Sequence, residues 1–365
     1  RLFRQSPEQR VPLPAPAHHE QALSQRSLRT MTAPRQPFVP CPYSLRYVGA
    51  DRAVPDDRTL ACIRFGKGLP AHDDPRVIDV GLAPLGALGA QLWQSELPVR
   101  HGRDDGIGYA ENGELLFGSL RLEEPELAHM DHAAFRAYVR MDRLLQKFGY
   151  PCWLRVWIYM ADITHGEGDA ERYRQFSLGR HRALSLKPGF ELNLPAATAI
   201  GSHDSGLVIY FIAAKSPGVQ IENPRQVSAF RYPREYGPRS PSFSRAMLKH
   251  WSDTTHLYVS GTASIVGHES RHRGDAARQL EEVHNNLQAL VQNAQRQLAC
   301  DPSHTARPLA LKLYLRDPGL MHALRPLLPR LFGADTPILC LEGDICREDL
   351  LLEMEGLYAL PVSAA

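Results

Sequence analysis

The stretch DICREDLLLEMEG, Asp344 to Gly356, places Glu353 and Glu355 two residues apart in an otherwise apolar run. In an extended chain alternate residues share a face, so the two carboxyls point the same way. Two carboxyls on one apolar face do not both ionise freely: the pKa of one rises, or one is paired. A glutamate held near neutral pKa is a general acid, whereas a glutamate beside an arginine is an ordinary buried pair. The same alternation puts Arg155, Trp157 and Tyr159 of RVWIYM on one face. A buried arginine needs an anionic partner, either a protein carboxylate or a ligand carboxylate gripped by its planar fork. Arg180 and Arg182 in GRHRAL are two apart on a helical pattern, so at most one of them faces a given pocket. His268 and His272 in GHESRHRGD have metal-ligand spacing only if helical; the flanking glycines favour a loop and no third ligand is fixed, so the reading is metal-free. Walker A, dinucleotide-binding, G-x-S-x-G and H-E-x-x-H patterns do not occur.

The elements that must position these residues read as α/β. Strands are expected at ELLFGSLRL, CWLRVWIYM, SGLVIYFIAA, THLYVSGTASIVG, LALKLYLRD, PILCLEG and DLLLEMEG. Helices are expected at His132–Gly149, through DAERYRQFSLGRHRAL, and through DAARQLEEVHNNLQALVQNAQRQL. In the last of these Leu280, Val283, Leu287, Leu290 and Val291 form the apolar stripe and Asp275 is the N-cap. GLMHALRPLLPRLFG is helical but interrupted by Pro326 and Pro329. The order of elements recurs, which predicts two copies of one α/β unit, over residues 41–221 and 248–365. The join at 222–247 is rich in Pro, Arg and aromatics; Tyr232, Tyr236 and Phe243 suit an ordered loop that lines a site. Residues 1–40, with few large apolar side chains, read as a loose tail.

The chain has 365 residues and a formal net charge of +2, so it offers no electrostatic case for nucleic acid or an anionic membrane surface. Six cysteines, scattered without metal spacing, fit a reducing compartment and a cytoplasmic protein. No apolar run reaches membrane-spanning length, and the first residues lack the apolar core of a secretory leader.

Taken together, RVWIYM, YRQFSLGRHRAL, PAATAIGSH, IENP, YPREYGPRSPSFSRA, VSGTASIVGH, HRGD and DLLLEMEG resemble the chorismatases, from about Tyr43 to Gly356. The resemblance implies a fold of two RidA/YjgF-like (chorismate mutase-like) α+β units with mixed sheets and packed helices. It implies cleavage of chorismate with release of pyruvate, and it places the family's catalytic glutamate on Glu353, which protonates the enolpyruvyl methylene. It also divides products. The hydrolytic class has SAT and DIA at two pocket positions and forms a dihydroxycyclohexadiene carboxylate; the 3-hydroxybenzoate-forming class has SGT and DIC. Gly261 in VSGT and Cys346 in GDIC match the second pattern, and a third class that forms 3- and 4-hydroxybenzoate is not separated by them. Chorismate carries two carboxylates, so at least two cationic anchors are expected: Arg155 and Arg245 first, then Arg180. Tyr159, Tyr173 and His203 are the expected hydrogen-bond donors, and Glu355 either tunes Glu353 or holds the strand in place. No cofactor or metal is implied. The assembly implied is a monomeric pseudo-trimer or a homo-oligomer. An imine-acting deaminase and a metabolite-binding protein without turnover are the alternatives.

Overall fold

A computed structural model describes residues 40–298 and 305–360, so the expected tail lies, apart from residue 40, outside the described residues. The first sheet contains β1 (Tyr43–Val48), β2 (Thr59–Phe65), β3 (Val77–Val80) and β4 (Ala90–Ser95), in the order β1-β4-β2-β3. The second contains β5 (Arg100–Asp104), β6 (Ile107–Glu111), β7 (Leu115–Leu122), β8 (Cys152–Ala161), β9 (Ala196–Ser202) and β10 (Leu207–Ala214), in the order β5-β6-β7-β10-β8-β9. The chain then forms β11 (Val219–Ile221), β12 (Ala246–His250) and β13 (Thr255–Ala263), a small hairpin of β14 (Ile265–Val266) and β15 (Glu269–Ser270), and β16 (Arg307–Leu315), β17 (Ile338–Glu342) and β18 (Leu352–Leu360). The third sheet runs β11-β12-β13-β18-β16-β17.

The second and third sheets are the two expected units. Each is covered on its outer face by helices: α1 (Met130–Phe148) and α2 (Arg172–Leu184) on the second, α3 (Ala276–Gln297), α4 (Met321–Leu324) and α5 (Leu328–Phe332) on the third. The expected stripe of α3 is buried and Asp275 accepts from the Arg278 amide as its N-cap. Gly149 ends α1 in the left-handed region, φ 79°, where a Cβ would be strained. Pro326 falls in the break between α4 and α5, and Pro329 sits in the first turn of α5, where its missing N–H costs nothing. No described helix is long and apolar enough to cross a membrane.

The first sheet was not foreseen. Its β1-β4-β2-β3 repeats the pairing of β7-β10-β8-β9 and β13-β18-β16-β17: antiparallel, antiparallel, parallel. It is a third copy without the helices, and helix periodicity is what made the other two visible in the sequence. The expected boundaries change accordingly. Residues 43–95 form a sheet of their own ahead of the unit at 100–214, and β11 joins the third sheet although it precedes the connecting segment. The described residues belong to one compact unit.

The inner faces of all three sheets share one core, which includes Phe65, Trp93, Trp157, Tyr159, Tyr210, Tyr258 and Tyr314. Register makes Phe65, Tyr159 and Tyr314 equivalent, and they meet: ring centroids are 6.4 Å apart for Phe65 and Tyr159 and 6.3 Å for Tyr159 and Tyr314. The chain thus builds a pseudo-threefold barrel from its own sheets, linked at their edges by bridges such as Ala196 to Ser244 and Pro84 to Leu341.

Candidate active site

The seam between the second and third sheets is where the fold opens a cleft. Along β13 the register slips between Val259 and Thr262, a bulge that leaves Ser260 and Gly261 opposite Glu355 of β18. Ser260 Oγ accepts from the Ala197 amide (2.9 Å) and donates to the Ser244 carbonyl (2.6 Å), tying the bulge to β9 across the seam. The cavity beside it has a volume of about 520 Å³ and is lined from β9, β13, β18, α2, the connecting segment and the Cys346–Leu350 loop. Arg316 shapes that loop by donating to the carbonyls of Ile345 (2.9 Å), Arg347 (2.8 Å) and Leu350 (3.1 Å).

Glu353 and Glu355 do share a face of β18, and their surroundings drive them apart. Glu355 is sealed in the core. Arg155 (2.5 Å), Lys312 (2.5 Å), the Trp157 indole (2.8 Å) and the Thr198 hydroxyl all donate to it. Burial pushes its carboxyl up, but Lys312 and Arg155 outweigh this and hold it below the ordinary range. Glu353 lines the cavity, and among the described residues no hydrogen-bond donor reaches it. Burial, then the charge of Glu355, push its carboxyl up to about 8 against the pull of Arg155, Arg245 and Arg347. At neutral pH this is a protonated acid facing the cavity.

Gly261 makes that pose possible. A Cβ built there would overlap Glu353 Oε1 and lie 3.2 Å from Thr198 Cγ2. The space at Gly261 therefore serves the glutamate. Cys346 lines the same cavity; burial, then the Glu353 charge, push its thiol up to about 12, so it is a neutral wall and not a nucleophile.

The cationic wall comes from α2 and the connecting segment. Arg180 lies on the buried face of α2 with Phe176 and Ala183, while Arg182 faces out to Asp131, as the spacing required. Arg180 Nε and Nη2 are buried and have no partner among the described residues. Arg245 donates to the Val227 carbonyl (2.8 Å) and the Tyr232 hydroxyl (2.7 Å), but its Nε is also buried and unpartnered. Phe243 lies between the two guanidiniums, 5.9 Å from Arg180 and 5.5 Å from Arg245. Buried N–H groups of arginine without acceptors are costly, and a ligand carboxylate would satisfy them. Tyr173 also lines the cavity, its phenol pushed up by burial.

Three expected contacts lie elsewhere. Arg155 is on the core side of the seam, where Glu355 answers its charge, so the internal ion pair is realised and not the ligand fork. Tyr159 is buried at the barrel axis, bonded to Tyr314 (2.8 Å) and Tyr210 (3.2 Å). His203 sits 3.3 Å from Glu342 near the first sheet, away from the cavity lining. Arg347 was missed. It lines the cavity, donates to the His268 carbonyl (2.8 Å) and stacks 4.1 Å from the Tyr236 ring. Its signal was its place beside Cys346, with Tyr232 and Tyr236 already marked as loop anchors. The two spaced histidines do not converge: His272 is in a left-handed turn (φ 57°) against Glu282, and His268 meets Tyr236. Among the described residues no group of three or more His, Cys, Asp or Glu is placed to hold a metal ion.

Comparison with known proteins gives the family. A family described as "Chorismatase FkbO/Hyg5-like, N-terminal" matches residues 91–213. A 3-hydroxybenzoate synthase from Streptomyces hygroscopicus is 36% identical over 297 residues, 78% of this chain and 86% of that protein. The chain belongs to the chorismatase family. A chorismatase from Streptomyces rapamycinicus is also 36% identical, over 74% of this chain and 82% of that one. A chorismatase crystal structure superposes with a TM-score of 0.78 at 30% identity, covering 87% of this chain and 98% of that chain. Relatives with different names at equal identity leave the choice of product to the cleft.

Proposed function

We propose that this chorismatase converts chorismate to 3-hydroxybenzoate and pyruvate, with Glu353 as the general acid. The observation that carries the reading is the pair of carboxyls on β18, one buried, without a donor among the described residues and held near pKa 8 in the cavity, the other ionised beneath it. Such a split is how a protein keeps one acid protonated at neutral pH. Glu353 delivers its proton to the enolpyruvyl methylene, which becomes a methyl group, and positive charge develops on the ether-bearing carbon. The ring C3–O bond then breaks, its electron pair going to the oxygen that leaves as the ketone of pyruvate. The neighbouring C4 hydroxyl closes on C3 and gives its proton to the Glu353 carboxylate, restoring the acid. The resulting arene oxide opens and aromatises to 3-hydroxybenzoate. Chorismate equals the two products in composition, so no water is consumed. An intramolecular nucleophile has a large advantage in effective concentration where water is excluded.

Arg180 and Arg245 are the carboxylate anchors in this reading, with Arg347 closing the third side, and Tyr173 is a hydrogen-bond donor to the ligand. Gly261 and Cys346 favour the benzoate route because the glycine lets Glu353 lie flat against the bulge and the neutral thiol adds an apolar wall. Joint formation of 4-hydroxybenzoate is compatible with the same two residues.

The test is incubation of the purified protein with chorismate, without added metal, with pyruvate followed through coupled lactate dehydrogenase and aromatic products separated by chromatography. The expected result is stoichiometric pyruvate and 3-hydroxybenzoate. Pyruvate with mainly the dihydroxy diene would assign the hydrolytic class, and no pyruvate above the uncatalysed rate would refute the activity.

A further inference from the structure

The buried charges Lys312, Glu353 and Glu355 of the third sheet meet neutral residues at the equivalent positions of the other two, and the buried Arg155 of β8 reaches across from the second sheet to pair with Glu355. Register makes Lys312, Trp157 and Ile63 equivalent, then Glu355, Tyr210 and Gln91, and then Glu353, Val208 and Gly89. Two sheets fill these positions with neutral residues and still close the barrel. In the third, the Lys312 ammonium lies 2.5 Å from Glu355 Oε1 and between 5.4 and 6.0 Å from the ring centroids of Phe65, Trp157, Tyr159, Tyr210 and Tyr314. Burying an ammonium and a carboxylate carries a desolvation penalty that apolar residues of similar volume would avoid. Thr198 links this group to the cleft: its hydroxyl donates to Glu355, while its methyl lies beside Gly261.

We propose that Lys312 is a positioning residue for the reaction: it fixes Glu355 as a charged floor beneath Glu353, and the ionic core of the third sheet serves the cleft and not the closure of the barrel. This rests on the reading of Glu353 as the acid. Lys312 heads the groups that hold the Glu355 carboxyl down against burial, and Glu355 follows burial among the causes that push Glu353 up. The other charged or titratable groups around Glu353 are Arg155 from β8, Arg245 from the end of the connecting segment, Cys346 and Arg347 from the loop before β18, and Tyr173 from α2. Around Glu355 they are Arg155, Tyr47, Tyr159, Tyr210 and Tyr314. Burial pushes Lys312 itself down to about 8, with Glu355 opposing.

The test uses the full chain with Lys312→Ile, Glu355→Gln and the double variant, which rebuilds the Ile63/Gln91 pair of the first sheet. Turnover depends on protonated Glu353, so wild-type kcat is flat at low pH and falls as pH rises through about 8. Loss of the charge at 355, directly or through Lys312, moves that fall to lower pH by about one unit. The double variant, like Glu355→Gln, leaves the buried Arg155 of β8 without its carboxylate, so both are expected to lose Tm, and the double variant is expected to match Glu355→Gln in its pH profile. A carbon-13 titration of glutamate carboxyls, assigned with Glu353→Gln, reads the same shift without substrate. If wild type releases no pyruvate, the activity is refuted while the titration still decides the role of Lys312. A Lys312→Ile variant that keeps the wild-type titration and loses only Tm would overturn the proposal. So would a double variant whose pH profile is shifted beyond that of Glu355→Gln.

Discussion

Two clefts of this barrel are related by the internal repeat, and only one is equipped for acid chemistry. The cleft between the second and third sheets holds Glu353; the one between the first and second holds Val208 at the equivalent position. Their volumes are close, about 520 and 500 Å³, so size does not distinguish them. Charge placement does. Around Glu353 two buried arginines have N–H groups without acceptors among the described residues. Around Val208 the exposed Arg121 and Arg103 already donate to backbone carbonyls of Asp79 (3.0 Å) and Asp73 (3.2 Å). The repeat supplies a cleft at both of these seams. Desolvation of a carboxyl together with unspent cations makes one of them a site.

The change expected to erase this difference most completely is Glu353→Gln, which keeps the shape but has no proton to give. Turnover should fall by about 10²- to 10⁴-fold with Tm little changed; near-wild-type turnover would mean another acid. Next come Arg180→Lys and Arg245→Lys. A point charge does not replace a planar fork, and losing one charged hydrogen bond, worth about 1.5–3 kcal/mol, lowers kcat/KM by about 10- to 100-fold. Unchanged kinetics with a lower Tm would make them structural. Gly261→Ala displaces the Glu353 carboxyl, and a misplacement near 1 Å costs up to about 10²-fold in rate. Combined with Cys346→Ala it should also raise the share of dihydroxy diene among the products. A product ratio constant across wild type, both single variants and the double would remove these positions from product choice. The smallest effect belongs to the other cleft: Arg121→Gln, an exposed change, should leave kcat/KM for chorismate within about twofold, and so should Val208→Ala, whose buried side chain costs Tm and not turnover. A tenfold loss there would mean that the two clefts are not independent.

Much of the site was legible because strand alternation is rigid. It put Glu353 and Glu355 on one face, and helical spacing left room for only one of Arg180 and Arg182 in the cavity. The same rule failed for Arg155 and Tyr159 in an instructive way. Alternation fixes a shared face but not which part of a seam that face meets; Arg155 meets Glu355, and Tyr159 meets the barrel axis. His203 had no periodic element to aim it. The first sheet was hidden because its copy of the repeat carries no helix, and a run of short strands leaves no 3.6-residue period to find. The bulge at Ser260 and Gly261, which gives the glutamate its room, depends on pairing across sequence-distant strands and has no local signature beyond the glycine itself.

The central claim is that an exchangeable proton on Glu353 ends in the methyl group of pyruvate. Turnover of unlabelled chorismate in D₂O, with pyruvate trapped at once by lactate dehydrogenase and weighed by mass spectrometry, tests it directly. One solvent deuterium per pyruvate methyl from the first turnover is the predicted result. Pyruvate with no deuterium in its methyl group, its third hydrogen taken from the substrate ring, would contradict an acid at Glu353.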